Sequence, residues 1–157
     1  MPLVPAAEIV GQARAAGRGA GAFNVIGIEH AEAIVTGAEA AEASVVLQLS
    51  ENCVAYHGSL GPVGAAMLAL ARASAVPVAV HLDHATSADL VTEAVRLGFG
   101  SAMFDASVLP YAGNVAATAR RRFVTRANPP LSRTMFAKLL SRSAALSPCS
   151  AALVTED

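Results

Sequence analysis

The sequence predicts an α/β fold with a parallel sheet, and three observations support this. Segments of strand length and of helix length alternate, which gives four strand–helix units. The strand segments are continuous apolar runs, typical of strands covered on both faces. The chain has 157 residues, 54% hydrophobic and 15% charged, as expected for a globular protein with a core. A doubly wound sheet and part of a (β/α)8 barrel both fit this pattern.

The first four predicted elements end at residue 50. Residues 5–17 predict a helix with an apolar stripe, and Gly17 can end it. Residues 21–25 form a short extended run. Residues 28–43 are rich in alanine, the best helix former. Residues 44–50 are apolar and β-branched, which predicts a buried strand.

The next two elements account for the most apolar part of the chain. Residues 60–75 predict a helix and 76–84 a strand. This part contains Pro62, Arg72 and Pro77, so it indicates a buried helix followed by a strand rather than a membrane span.

The last predicted units follow a clear capping pattern. Residues 86–98 predict a helix that Thr86 or Ser87 can cap and Gly98 can close. The final elements are a strand over 99–107 and a helix over 109–122 that begins after Pro110.

Composition excludes several classes of function. The net charge is −1, which gives no overall case for nucleic acid or an anionic membrane as partner. The cysteines, Cys53 and Cys149, lack a CxxC or metal-type spacing and suit a reducing compartment. The start lacks a basic segment followed by a long apolar one, so we expect no signal peptide and a cytoplasmic location. Phosphate loops of the Walker and GxGxxG types are also missing.

Each predicted strand ends in polar side chains. The carboxyl ends of parallel strands form the active face of such folds, so four strands that deliver polar groups to one edge favour a functional site. The alternative is that strand ends are polar because loops begin there. The residues concerned are Asn24, Gln48, Ser50, His81, Asp83, His84, Asp105 and Ser107.

The third strand carries the densest group. His81 and Asp83 are two residues apart and share a strand face, whereas His84 has the other parity or lies just past the strand. A carboxylate beside a metal-binding imidazole is a common way to hold a base near a polarised substrate. Of the other histidines, we expect a solvated or capping role for His30 at a helix start. His57 lies in an expected loop over 54–61; it could face the site, but a surface role is favoured.

Several segments together resemble the class II, metal-dependent ketose-bisphosphate aldolases. They are "GAFNV", "VVLQLSENCVAYHG", "VPVAVHLDHA" and "GSAMFDASVLPYAGNVAATAR", in this order, and they cover about residues 1–120. The resemblance implies the N-terminal half, about four β/α units, of a TIM (β/α)8 barrel. It also implies a Zn2+ ion that polarises the ketone of dihydroxyacetone phosphate, and a ketose bisphosphate as substrate.

The resemblance also implies site residues. Asp83 matches the proton-transferring aspartate and His84 one of three zinc-binding histidines. Asp105 matches an acidic residue that can hold a second divalent ion. Asn24 and Ser50 match substrate-facing positions, and His81 and Ser107 are supporting residues.

The residue types agree with this chemistry. Aldol cleavage leaves an enolate, whose charge needs a Schiff-base lysine or a Lewis-acid metal. Residues 1–119 contain no lysine. The metal route is therefore the one open to this part of the chain.

The resemblance ends near Arg120, and the composition changes there. A full barrel needs about 250 residues. Residues 120–157 hold seven basic residues and two acids. We therefore expect a truncated aldolase domain over 1–120 and an atypical tail over 121–157.

The tail permits several interpretations. A basic amphipathic helix over 131–146 would suit a membrane surface or a partner groove. The segment could instead cover apolar surface, be disordered, or result from a change of reading frame, which we favour.

Two further readings of the whole chain stay open. It could be a non-catalytic half-barrel remnant with an incomplete metal site, or a doubly wound binding module that resembles the aldolases by chance. For this chain alone we expect no activity, weak zinc uptake, and self-association or homo-oligomers through uncovered strand edges.

Overall fold

The computed structural model describes residues 2–126, 135–137 and 152–153. The helices are α1 (Ala6–Ala15), α2 (Ile28–Ala40), α3 (Glu51–His57), α4 (Gly61–Ala73), α5 (Ala88–Leu97) and α6 (Tyr111–Arg126). The strands are β1 (Gly21–Asn24), β2 (Val45–Ser50), β3 (Val78–Ala85), β4 (Ser101–Phe104), β5 (Met135–Ala137) and β6 (Ala152–Leu153).

The strands form one sheet in the order β1-β2-β3-β4-β5-β6. The first five run parallel, and β6 pairs antiparallel to β5. This confirms the predicted α/β fold with about four β/α units. A doubly wound sheet reverses its strand order at a switch point, whereas here every strand lies beside its neighbour in sequence. The topology is therefore that of the first part of a (β/α)8 barrel.

The two faces of the sheet are covered differently. One face carries residues such as Leu47, Val80 and Leu82, which pack with the helices in the main core. The other face carries Val46 and Ala79, which pack against α1. Side chains alternate along a strand, so the residues two and four positions after Val46 and Ala79 share this second face. They are Gln48, Ser50, His81 and Asp83. On this second face, apolar residues therefore pack against α1, and polar residues lie at the carboxyl ends of the strands.

Capping residues fix the ends of the helices beside that edge. The Ser50 hydroxyl accepts a hydrogen bond from the Cys53 amide at 3.2 Å, and the Ser87 hydroxyl one from Leu90 at 3.3 Å. Gly98 ends α5 with a φ of 103°, in the left-handed region. The predicted cap at Ser87 and close at Gly98 are therefore confirmed.

Three expectations need correction. The predicted strands were expected to be covered on both faces, yet all of β1 is exposed. It is also an edge strand, which within the described residues pairs only with β2. Residues 54–61 were expected to be a loop, but α3 reaches His57 because Ser50 caps its start and Gly58 its end. Among the interpretations of the tail, the basic amphipathic helix over 131–146 is wrong at Met135–Ala137, which forms β5 and pairs with β4. The rest of that segment lies outside the described residues.

The helices of the described ranges have at most 16 residues. No single helix there is both long and apolar enough to cross a bilayer. Taken together, α3 and α4 have the length and composition of a membrane span, but the pair is bent by 117° at the break between the two helices.

Candidate functional site

Four polar residues form a row across the parallel strands. Asn24 of β1 lies beside Gln48 of β2, and Gln48 lies beside His81 of β3. His81 in turn lies beside Ser101 of β4. Neighbours in register on parallel strands point to the same face of the sheet. The row therefore lies on one face, as the sequence predicts for the polar strand ends.

A bulge in β3 arranges the next residues. Asp83 lies beside Ser50 of β2, in regular register. Toward β4 the register shifts between Leu82 and Ala85, and His84 has a φ of 50°. An extra residue in a strand re-aims the side chains next to it. From the sequence, His84 could lie on the other face of the strand or just past its end. The structure places it inside β3, at the bulge.

The bulge brings the imidazole of His84 to two carboxylates. Its Nδ1 lies 3.2 Å from Oδ2 of Asp105, and its Nε2 lies 4.0 Å from Oδ1 of Asp83. A carboxylate acceptor at Nδ1 requires the proton on Nδ1, so the tautomer inferred for the neutral ring leaves the lone pair on Nε2. The His84 side chain is 49% exposed, whereas those of Asp83 and Asp105 are 12% and 14% exposed. His84 is thus the accessible member of the group.

His81 lies below this group and is buried. Its Nδ1 is 2.7 Å from the Ser101 hydroxyl, and its Nε2 is 3.8 Å from Oδ1 of Asp83. Burial, followed by repulsion from His84, lowers the pKa of His81 from 6.5 to about 4. His81 is therefore neutral near pH 7, and its buried ring lies beside the carboxylate of Asp83.

Asp105 follows β4 and is held on two sides. Its amide donates to the Ala85 carbonyl at 2.8 Å. Its Oδ1 accepts a hydrogen bond from the Ser107 amide at 2.9 Å, while Oδ2 faces His84. These contacts orient the carboxylate toward the imidazole. Ser107 thus acts on the site through its backbone.

Asn24 and Ser50 lie at the same edge in different settings. Asn24 is exposed at the end of β1. The Ser50 oxygen accepts a hydrogen bond from the Cys53 amide, and a serine hydroxyl that accepts a hydrogen bond can also donate one. Cys53 is a free thiol whose pKa is raised by burial, and its Sγ lies 3.4 Å from the Val25 carbonyl oxygen. Cys149 lies outside the described residues.

The two remaining histidines serve backbone groups. Nδ1 of His30 accepts a hydrogen bond from the Gly27 amide at 3.1 Å, which confirms the expected capping role. Nε2 of His57 contacts the carbonyl oxygen of Ile26. Both are exposed, and neither joins the group around His84.

Sequence reasoning missed two residues of this region. Ser101 looks like an ordinary strand start, and only the register with His81 reveals it. Glu51 accepts hydrogen bonds from the segment that follows β3. Its position, directly after the polar end of β2, was the available signal.

The described residues supply only part of a metal site. His84, Asp83 and Asp105 offer one accessible imidazole and two carboxylates, which are suitable donor types for zinc. Yet the part of the chain that the structure describes has no group of three His, Cys, Asp or Glu residues arranged to hold a metal ion. A bound metal would need ligands beyond these.

Comparison with known proteins connects this site to a family. A family model described as "Fructose-bisphosphate aldolase class-II" matches residues 4–129, which extends past residue 120. The chain is 43% identical over 118 residues to the fructose-bisphosphate aldolase of Thermus caldophilus, with 75% of this chain and 38% of that one covered. It is 37% identical over 120 residues to a 6-phospho-5-dehydro-2-deoxy-D-gluconate aldolase of Shouchella clausii, with 75% and 41% covered.

Solved structures agree on the fold. The YdjI aldolase of Escherichia coli matches with a TM-score of 0.75 at 24% identity, over 87% of this chain and 52% of that chain. A fructose-bisphosphate aldolase of Campylobacter jejuni matches with a TM-score of 0.68 at 24% identity, over 80% and 44%. The chain spans less than half the length of the curated relatives named above. The chain thus belongs to the class II fructose-bisphosphate aldolase family.

Proposed function

We propose that this chain carries the proton-transfer part of a zinc-dependent aldolase site. The reaction is reversible aldol cleavage of a ketose bisphosphate to dihydroxyacetone phosphate and an aldehyde phosphate. The observation that carries the proposal is the bulge that places His84 between the carboxylates of Asp83 and Asp105. A buried Schiff-base lysine is not an option in residues 1–119, which contain no lysine.

Asp83 is the proposed proton-transfer residue. Its carboxylate is largely shielded from solvent and faces His84 and the neutral ring of His81. A carboxylate in such a setting can accept a proton from a substrate and return it. Asp83 would take the proton from the substrate hydroxyl on cleavage and supply one in the reverse direction.

His84 is the proposed metal ligand, through Nε2. The zinc ion, when bound, supplies Lewis-acid polarisation of the substrate carbonyl. Asp105 orients the ring of His84 through Nδ1 and is also the proposed ligand of a second divalent ion. Because the described residues complete no coordination shell, we assign no step to the metal here.

The other site residues act on substrate or support the carboxylate. Asn24 and Ser50 are the proposed substrate-binding groups, since each brings a polar group to the edge. His81 supports Asp83 from below, and Ser107 supports Asp105 through its amide. A cytoplasmic place in carbohydrate metabolism, including glycolysis, follows from this proposal.

The alternative function is that of a non-catalytic half-barrel remnant. One observation favours it: the described residues supply an incomplete set of metal donors. In this reading residues 1–120 are the partial aldolase domain and 121–157 a tail of another kind. Translation of the gene in its other two frames checks whether a shift produced the tail. If both lack a glutamate-containing strand and further histidines, the frameshift idea is wrong.

A zinc titration combined with a cleavage assay tests the proposal. Fructose bisphosphate is the substrate, and Asp89→Ala, an exposed carboxylate on α5, is the control. We expect Asp83→Ala to lower activity by about 10²- to 10⁴-fold, the usual contribution of a general acid or base, and Asp89→Ala to leave it intact. Wild-type protein without activity and with only weak zinc uptake would favour the remnant.

A further inference from the structure

Glu51 binds the segment that leaves the active edge after β3. Glu51 is the first residue of α3, directly after β2. Its Oε2 accepts hydrogen bonds from the amide of Thr86 at 2.6 Å and from the Thr86 hydroxyl at 2.7 Å. Its Oε1 accepts one from the Ser87 amide at 3.2 Å. One carboxylate thus receives three donors, and hydrogen bonds to a charged acceptor are the strong ones.

These contacts lie next to the bulge. Thr86 is two residues past His84, and the residue between them, Ala85, is buried. The Ala85 carbonyl accepts from the Asp105 amide at 2.8 Å. On the other side of the bulge, Asp83 is in regular register with β2. Backbone pairing therefore fixes the residues on both sides of the bulge, and Glu51 adds side-chain hydrogen bonds on its C-terminal side.

The backbone conformation at the bulge is unfavourable and needs contacts that stabilise it. A residue other than glycine with a φ of 50°, as at His84, costs about 1 kcal/mol or more. Such a conformation persists only where the surrounding structure over-determines it. If the segment after His84 were released, the backbone could relax toward an extended strand, and the imidazole would turn away from Asp105.

We propose that Glu51 is a positioning residue for His84. By fixing Thr86 and Ser87, its carboxylate keeps the bulge in the conformation that aims the imidazole at Asp83 and Asp105. The importance of this aim for catalysis rests on the proposed function. The contact itself exists in the chain without substrate or metal and can be tested there.

The chain offers a matched control at the opposite end of β3. Oε1 of Glu39, on α2, accepts a hydrogen bond from the Ala75 amide at 2.8 Å, just before β3 begins. Glu39 and Glu51 are thus both helix carboxylates that hold a loop beside the same strand. Only the loop held by Glu51 adjoins His84. Glu39→Gln therefore removes the same carboxylate charge from a loop contact without a direct effect on the bulge.

The experiment compares Glu51→Gln with Glu39→Gln by NMR at one fixed pH, on full-length protein without metal. In Glu51→Gln an amide donor faces the Ser87 amide, which also donates. We expect the Thr86 and Ser87 amides to exchange about 10- to 100-fold faster, because a hydrogen bond to a charged group is lost. With labelled histidine, the ring signal of His84 should shift in Glu51→Gln and stay in place in Glu39→Gln. A merely structural loss would not single out His84.

The outcomes separate this inference from the proposed function. An unshifted His84 signal in Glu51→Gln overturns the positioning role, whether or not the exchange at Thr86 changes. If wild-type protein takes up no zinc but the His84 signal shifts as expected, the proposed function fails and the positioning role stands. Should Glu51→Gln fail to fold, Thr86→Val removes one of the three donors. It should give a smaller shift of His84, and an unshifted signal there overturns the role as well.

Discussion

Burial of His81 makes the stability of the protein dependent on pH. In the folded chain its pKa is lowered from 6.5 to about 4, first by burial and then by His84. Between these values the unfolded chain binds a proton and the folded chain does not. The free energy of unfolding therefore falls as pH drops from 6.5 toward 4, by on the order of 3 kcal/mol in total, and this contribution is constant above that window.

Urea unfolding of metal-free protein across this pH window measures the effect. The comparison is with His81→Asn, which has no group that titrates there. The substitution should lower stability at pH 7, because the contact with Ser101 is altered, but it should flatten the fall below pH 6.5. Carboxylates titrate in both proteins, so the difference between the two curves isolates His81. Parallel curves would mean that the pKa of His81 is the same in the folded and unfolded chains, and would contradict the prediction.

The elements that could be predicted from sequence are those specified by local signals. Helix α5 is flanked directly by a serine cap and a closing glycine, and both are visible in the sequence of the segment itself. Helix α3 was missed because seven residues are too few to show a periodic stripe. The bulge at His84 has no local signal, because register is set by the pairing of β3 with β4. The site residues could be proposed from the sequence, whereas the contacts that orient them could not.

The glycine that ends α5 provides a test at this level. Gly98 has a φ of 103°, which an alanine adopts only with strain, so Gly98→Ala should destabilise the fold by about 1–3 kcal/mol. Gly37 lies inside α2, and an added Cβ would meet no atom within 4 Å. Gly37→Ala should therefore stabilise the fold by about 0.5–1 kcal/mol. Thermal unfolding of both variants measures the contrast. Equal stabilities would argue against the left-handed end of α5.

The whole molecule combines a well-covered half with an exposed edge. Helices cover one face of the sheet, and α1 covers the lower part of the other. At the side of β1, however, large apolar side chains are exposed: Phe23 is 52% exposed and Ile26 55%. Within the described residues β1 pairs on one side only. Such a strand is a template for pairing with another chain.

We therefore predict that the chain self-associates through β1. Phe23→Lys should weaken association about tenfold, because burial of about half a phenylalanine is worth roughly 1.5 kcal/mol and a charge at the edge opposes pairing. Val108→Lys is the control, since Val108 is 88% exposed but follows β4, which lies three strands away from β1 in the sheet. Sedimentation velocity over a range of concentrations measures the effect. A wild-type chain that sediments as one monomeric species and unfolds cooperatively would contradict the prediction. Equal weakening by both substitutions would show that net charge, rather than the β1 edge, controls association.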